Sequence, residues 1–211
     1  MQDLDGIDPE VLLAAIERKR AWFWSDAERH RAGRLDLIAA HREVARLAFD
    51  EVGLERSPAA DRIATSYYAR RNAAITPFPD AVETVRWLRD AGCRLALLTN
   101  GAALAQRSKV DRFALAGLFD VILIEGELGY GKPDPRVYQK ALVELDVVAA
   151  ATWMVGDNPE WDVAEPQRHG IFAIWVDRWG RGLPEGDSLR PDRIVRRLSE
   201  LREPAPGAER A

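Results

Sequence analysis

The sequence predicts an α/β protein: a Rossmann-like parallel sheet core with helices on both faces, preceded by an all-helical module. Three observations carry this. After Pro77, short apolar runs alternate with amphipathic helical text, which is the signature of a parallel sheet. Those runs lack polar alternation, as in strands buried on both faces. Before Pro77, apolar residues recur close to a 3.6-residue period and no strand is visible.

The elements follow in order. PEVLLAAIERKRAWFW places Val11, Leu12, Ala15, Ile16, Trp22 and Phe23 at helical spacing. LDLIAAHREVARLAFDEVGL does the same with Leu35, Ile38, Val44, Leu47 and Ala48 or Phe49, and stops at Gly53. Ser57-Pro58 reads as an N-cap with proline at the first helical position, opening a helix that carries Ile63, Tyr67 and Tyr68. TPFP breaks helical continuity near residues 73–79, which predicts domains at 1–76 and 77–202 with a disordered tail at 203–211. In the second domain a helix ends at Gly92 and Leu95 to Leu98 form the first buried strand. A helix over Ala102 to Leu115, the strand DVILIEGE, a helix over Pro135 to Leu145 and the strand TWMVGDN come next. A helix over Pro159 to His169, the strand IFAIWVD and a last helix over Asp192 to Leu201 complete the plan.

Composition bounds the function. A net charge of −4 with dispersed Lys and Arg argues against a nucleic-acid surface. No apolar run reaches the ~20 residues of a membrane span. The first residues lack the basic patch and apolar stretch of a secretory signal, so a reducing cytoplasm is the expected compartment. The single cysteine, Cys93, precludes an internal disulfide and reads as a packed small hydrophobe.

Ligands of open parallel sheets sit at the carboxyl ends of the strands. The first strand ends in Thr99-Asn100-Gly101, a hydroxyl, an amide and a flexible turn suited to holding an anion; a helix cap is the plainer reading. The second leads into GELGYGKPDPRVY, where Lys132 stands on a proline-stiffened loop and offers a fixed ammonium for phosphate charge; an exposed surface lysine is the alternative. Asp134-Pro135 reads as a helix start. The third leads into GDNPEWD. Asp157 directly follows buried text, where a divalent cation would relieve an otherwise unpaired carboxylate. Asp162, five residues on, could orient the loop or a metal's water shell. Helix capping and the helix dipole account for the same two residues without a metal. Glu160 reads as solvent-facing.

Taken in order on successive strand ends, Thr99, Lys132 and Asp157 resemble the second, third and fourth motifs of the haloacid dehalogenase (HAD) superfamily. The resemblance spans about residues 78–180, and the helical front is similar to the cap of its phosphatase-type members. It implies a Mg²⁺-dependent phosphomonoesterase acting on a small phosphorylated metabolite. Thr99 and the Asn100 backbone would hold phosphoryl oxygens, Lys132 would offset charge, and Asp157, with Asp162 beside it, would hold Mg²⁺. No nucleic acid or membrane is an expected partner, and a monomer or homodimer is the expected state. The family's metal-free dehalogenases tend to lack the Gly-Asp pattern.

The family also needs an Asp-x-Asp-x-Thr motif on a central strand, whose first carboxylate attacks phosphorus and whose second moves the proton. Asp3-Leu4-Asp5 has that spacing, but only Met1 and Gln2 precede it and Ile7 stands where Thr belongs. The expectation is that this DLDG is not the nucleophile, that the motif and its strand lie upstream, and that the sheet has a gap at its centre. This chain is then inactive or crippled as an enzyme. Two other readings stay open: a non-catalytic phosphate- or protein-binding module, and a metal-free haloacid dehalogenase. Trp22, Phe23 and Trp24 read as packing, His169 as a cation at a helix C-terminus, and His30 and His41 as residues without metal spacing. Trp175, Asp177, Arg178 and Trp179 follow the fourth strand without an assigned role.

Overall fold

Three helices begin the same way. Asp8, Ser57 and Asp134 each accept a hydrogen bond from the backbone N–H two residues on, and each is followed by proline at the first helical position. The side-chain oxygen satisfies a donor the helix cannot, and the proline supplies a fixed φ where no N–H is needed. The computed structural model describes residues 8–55, 57–183 and 188–203. It divides into two units between Thr76 and Pro77.

The first unit is helical: α1 (Pro9–Ser25), α2 (Ala27–Leu35), α3 (Leu37–Glu51) and α4 (Pro58–Ala74). Leu12, Ala45, Phe49, Ala59, Ala60 and Ala64 form its main core. The alanines let α3 and α4 approach closely, and Phe49, at 1% exposed, fills the space between. A second cluster gathers Phe23, Ala40 and Val44. Of the aromatic triplet, Phe23 is buried and Trp22 is 47% exposed.

Among its described residues the second unit contains five parallel strands in two sheets. β1 (Ala96–Thr99) pairs with β2 (Val121–Ile124), Ala96 opposite Val121 and Thr99 opposite Ile124. β3 (Trp153–Gly156) pairs with β4 (Phe172–Val176), and β4 pairs with β5 (Arg193–Val195). The helices are α5 (Ala81–Asp90), α6 (Ala103–Arg112), α7 (Glu125–Leu128), α8 (Pro135–Leu145) and α9 (Glu165–Arg168).

Neither β1 nor β3 has a strand on its second edge among the described residues. Both line a single cavity of about 760 Å³, with Ala96 and Leu98 on one side, Met154 and Val155 on the other, and Leu142 and Leu145 of α8 against it. Among the described residues, this cavity stands where the sequence leads one to expect a mid-sheet gap. The Asp3-Leu4-Asp5 stretch and residues 204–211 of the tail lie outside the described residues.

Four expectations are corrected. The strand DVILIEGE ends at Ile124, and its Glu125-Gly126-Glu127 belongs to α7. Residues Asp192 to Leu201 are not a helix: Arg193–Val195 is β5 and Leu198–Arg202 a 3-10 turn. Ile194 and Val195 suit a strand, Val195 is 1% exposed, and the Asp192 carboxylate accepts the Ala173 N–H at 2.7 Å, fixing the register. Residues Pro159 to His169 are not one α-helix. Pro159–Ala164 is π-helical and α9 follows, because Pro166 has no N–H to give the carbonyl four residues back. Cys93 is exposed, not packed, and it lines the mid-sheet cavity.

Candidate active site

The loops after β1, β2 and β3 are tied together by side chains that never need a ligand. The Asn100 amide makes a reciprocal pair with the Lys132 backbone: Nδ2 donates to the Lys132 carbonyl at 2.6 Å, and Oδ1 accepts the Lys132 N–H at 2.8 Å. Its own carbonyl accepts from Gln106 Nε2 at 2.9 Å. The side chain of Asn100 is thus a strut between two loops, and only its backbone is left for phosphate. Glu125, directly after β2 and 2% exposed, accepts the Gly101 N–H at 3.0 Å. A Cβ on Gly131 would fall 2.5 Å from Asn100 Oδ1 and 2.7 Å from Glu125 Cβ, so the loop bearing Lys132 can come this close only with glycine there. The following peptide, Lys132-Pro133, is cis.

Lys132 Nζ donates to Asp162 Oδ1 at 2.6 Å, with the side chains 13% and 4% exposed. The other oxygen, Oδ2, accepts the Asn158 N–H at 3.0 Å. Each oxygen of Asp162 therefore accepts one hydrogen bond, and in this structure the carboxylate holds the Lys132 ammonium. The π-helical turn makes this possible by bringing Asp162 back over β3. A Cβ on Gly156 would meet Asp162 Cγ at 2.3 Å, so glycine is required at the strand end. Single π-turns of this kind recur at functional sites.

Asp157 differs from Asp162. It is exposed, and its carboxylate has no hydrogen bond or ion pair among the described residues. Its carbonyl accepts from Trp175 Nε1 at 3.0 Å, which fixes the turn. Trp175 thereby gains the role that spacing did not disclose. Asp177 closes a separate turn, accepting from the Arg181 and Gly182 N–H groups at 2.9 Å each.

Beneath the pocket, the Tyr138 hydroxyl donates to the Trp161 carbonyl at 2.5 Å. Burial first, then the negative charges of Asp162, Glu165 and Glu160, holds its phenol well above the usual range, so it remains a donor. His169 pairs with Glu165 at 3.0 Å and stacks on the Tyr138 ring. Burial works to raise the Glu165 carboxyl, but hydrogen bonds from Arg168 and His169 outweigh it and hold the group below its ordinary value. Glu160 is solvent-facing and pairs with Arg168 at 2.8 Å.

Thr99, Asn100, Lys132, Asp157, Asn158 and Asp162 line one pocket of about 310 Å³ at the carboxyl ends of β1 and β3. Sequence position brings these residues no nearer than successive strand ends; the fold brings all five of the candidate residues into one depression. Among the described residues, no group of three or more His, Cys, Asp or Glu side chains is placed to hold a metal. Asp157 is the carboxylate open to one.

The family model for haloacid dehalogenase-like hydrolases matches residues 5–170. The chain is 39% identical over 158 residues to phosphoserine phosphatase of Thermus thermophilus, covering 75% of this chain and 62% of that protein. It is 29% identical over 202 residues to (S)-2-haloacid dehalogenase 1 of a Pseudomonas species, covering 94% of this chain and 84% of the relative. The chain thus spans about three fifths of the phosphatase it matches. Among solved structures, a 2-haloacid dehalogenase of Pseudomonas syringae superposes with a TM-score of 0.60 at 28% identity, over 96% of this chain and 82% of that one. A HAD hydrolase of Bacillus subtilis, described as bound to magnesium, superposes with a TM-score of 0.72 at 17% identity, over 95% and 85%, a likeness of fold alone. With the family model covering most of its length and the motif residues converging on one pocket, the chain belongs to the haloacid dehalogenase-like hydrolases.

Proposed function

We propose that this chain carries the substrate pocket of a Mg²⁺-dependent phosphatase for a small phosphorylated metabolite, without the attacking carboxylate. The observation that carries the reading is the contrast between two aspartates of one pocket. Asp162 is paired with Lys132, whereas Asp157 is exposed and unpaired. A hard cation such as Mg²⁺ binds through one or two carboxylates with water and phosphate oxygens as its other ligands. Asp157 fits that need with a carboxylate unpaired among the described residues, and Asp162 beside it positions Lys132. When bound, the ion would neutralise charge on the transferring phosphoryl group. Lys132, held by Asp162 and by the Asn100 strut, would lie against the same group as a fixed cation. The Thr99 hydroxyl, which has no hydrogen bond among the described residues, would donate to a phosphoryl oxygen.

The chemistry requires a carboxylate that attacks phosphorus while a neighbouring acid protonates the departing oxygen, followed by water attack on the aspartyl-phosphate. Its place is the end of a strand lying between β1 and β3, where the described residues leave a cavity. The only Asp-x-Asp in the sequence is Asp3-Leu4-Asp5. Our reading is that the chain as given has little or no turnover.

The test is phosphate release from p-nitrophenyl phosphate with Mg²⁺. The 211-residue chain should be nearly silent, and an apolar strand ending in Asp-x-Asp-x-Thr, fused ahead of Met1, should restore turnover that Asp157→Asn removes. Turnover by the unfused chain that Asp3→Asn abolishes would overturn the reading. The near full-length likeness to (S)-2-haloacid dehalogenase 1 favours a metal-free dehalogenase as a second reading. Halide release without Mg²⁺ by the fused chain would select it. Phosphate binding with no turnover in either form would select a non-catalytic module.

A further inference from the structure

The helical unit carries a cluster that its own packing does not explain. On α1, Ile16 and Phe23 pack into the core. Arg20 lies four residues after the first and three before the second, on the same face. On α3, Val44, Ala45 and Ala48 are buried, and His41 continues their row three and four residues earlier. On α4, Ala60 and Ala64 are buried, and Tyr67, Tyr68 and Arg71 continue that row. At one level of three packed helices, the apolar stripe therefore gives way to two arginines, a histidine and two tyrosines. Arg20 and Arg71 are themselves exposed, so the apolar rows break at the margin of the core, and such a break points to a functional demand.

The geometry at this level is specific. The Tyr67 ring stands edge-on to the His41 ring at 5.0 Å and 89°, and Tyr68 lies 6.3 Å away. His41 Nε2 is buried and has no hydrogen-bond partner. Burial, then the charges of Arg71 and Arg20, keeps the imidazole below its ordinary value, so both guanidinium groups are within electrostatic reach of it. Tyr67 is 47% exposed, which leaves the cluster open to solvent. Neighbouring cations of the same unit are paired: Arg18 and Lys19 with Glu51, Arg42 with Asp61, Arg46 with Glu43 and Asp50. Arg20 and Arg71 have no carboxylate partner among the described residues.

We propose that Arg20, His41 and Arg71 form an oxyanion site of the helical unit, taking a carboxylate or a phosphate group. Planar guanidinium groups suit either anion, and bound negative charge would offset the two guanidinium charges that act on the imidazole. The site is independent of the pocket at Lys132 and of the reaction proposed for it.

The test follows the His41 imidazole by NMR in the full chain labelled with ¹⁵N-histidine. Only three histidines are present, and His41→Asn assigns the signal. Inorganic phosphate and acetate are titrated separately. A saturable shift with either supports the site, and which of them acts identifies the anion it takes. Arg20→Gln or Arg71→Gln should each weaken binding about tenfold, the loss expected for one charge-assisted hydrogen bond. Lys132→Met should leave the His41 response unchanged, which separates this site from the core pocket. Both arginines are exposed, so the variants should melt as the parent does. Imidazole signals that stay still under both anions, or that shift equally in the double arginine variant, would overturn the proposal.

Discussion

The two units solve the same problem with different completeness. Helices satisfy their backbone within themselves, so the helical unit closes its core around Phe49 and the alanines of α3 and α4 from its own residues. Strands borrow partners. β4 has a neighbour on each side, and its Ala173, Ile174 and Trp175 are 0%, 0% and 6% exposed. Among the described residues β1 has one neighbour, and all four of its residues are only partly buried although three of them are apolar. What differs is the presence of a second edge. Burial in a sheet is thus a property of the neighbourhood, and a strand can be correctly written yet half-finished.

The largest test of this contrast is core truncation. Phe49→Ala should destabilise the helical unit by about 3–5 kcal/mol, because the surrounding helices cannot collapse into the space. Leu98→Ala removes a partly buried side chain that packs on one side against the core cluster and on the other borders open volume, and should cost about 1–2 kcal/mol, less than Phe49→Ala. Denaturant melts of the two variants measure both. Equal losses would mean the cavity beside β1 is closed in solution. The buried ion pair comes next. Asp162→Ala leaves the Lys132 ammonium 13% exposed and without its partner, which should cost about 3 kcal/mol. Adding Lys132→Met should recover most of that, so a double variant no more stable than the single one would show the pair does not hold the loops.

Much of this was legible beforehand, and the reasons are local. Four-residue apolar runs with glycine or a polar residue after them name strands without knowledge of their partners, and Ser57-Pro58 and Asp134-Pro135 name helix starts. Thr99, Lys132 and Asp157 could be read because strand ends are where parallel sheets bind ligands. The rest depended on partners distant in sequence. Asn100 as a strut to Lys132 is a contact across 32 residues. Glu125 carried a faint signal, a carboxylate set directly against a buried run, which burial rules forbid unless it is hydrogen-bonded. The division of labour between Asp157 and Asp162 rests on the π-turn, which follows from Pro166 only once the chain is known to be helical there.

A smaller effect distinguishes the units by pH. His41 has its folded value held below 6.5 by burial and by Arg71 and Arg20. The unfolded chain therefore takes up the proton first as pH falls, so the stabilising contribution is complete above 6.5 and is lost as pH drops through and below that value. Stability of the helical unit should decline between about pH 7 and pH 5, and His41→Asn should flatten that decline. Hydrogen exchange of α3 amides at several pH values reads this directly. An unchanged slope in the variant would assign the decline to other groups.

The smallest effect asks whether the units differ in local structure at all. Ser57 caps α4 through the Ala59 N–H at 3.2 Å, and Asp134 caps α8 through the Arg136 N–H at 3.0 Å. Each cap satisfies one free donor at a proline-led helix start, and Asp134 also pairs with the Arg136 side chain, so replacing Ser57 by alanine, or Asp134 by alanine in an Arg136→Ala background, should cost about 1 kcal/mol. If the contrast between the units lies only in the missing strand edge, the two losses should match when each is read by hydrogen exchange within its own unit. A clearly smaller loss at Asp134→Ala would mean that α8, which borders the mid-sheet cavity through Leu142 and Leu145, already opens locally without unfolding the sheet, since a cap contributes nothing to an opening in which its helix is already frayed. The gap would then weaken the helix packed against it as well as the strands beside it.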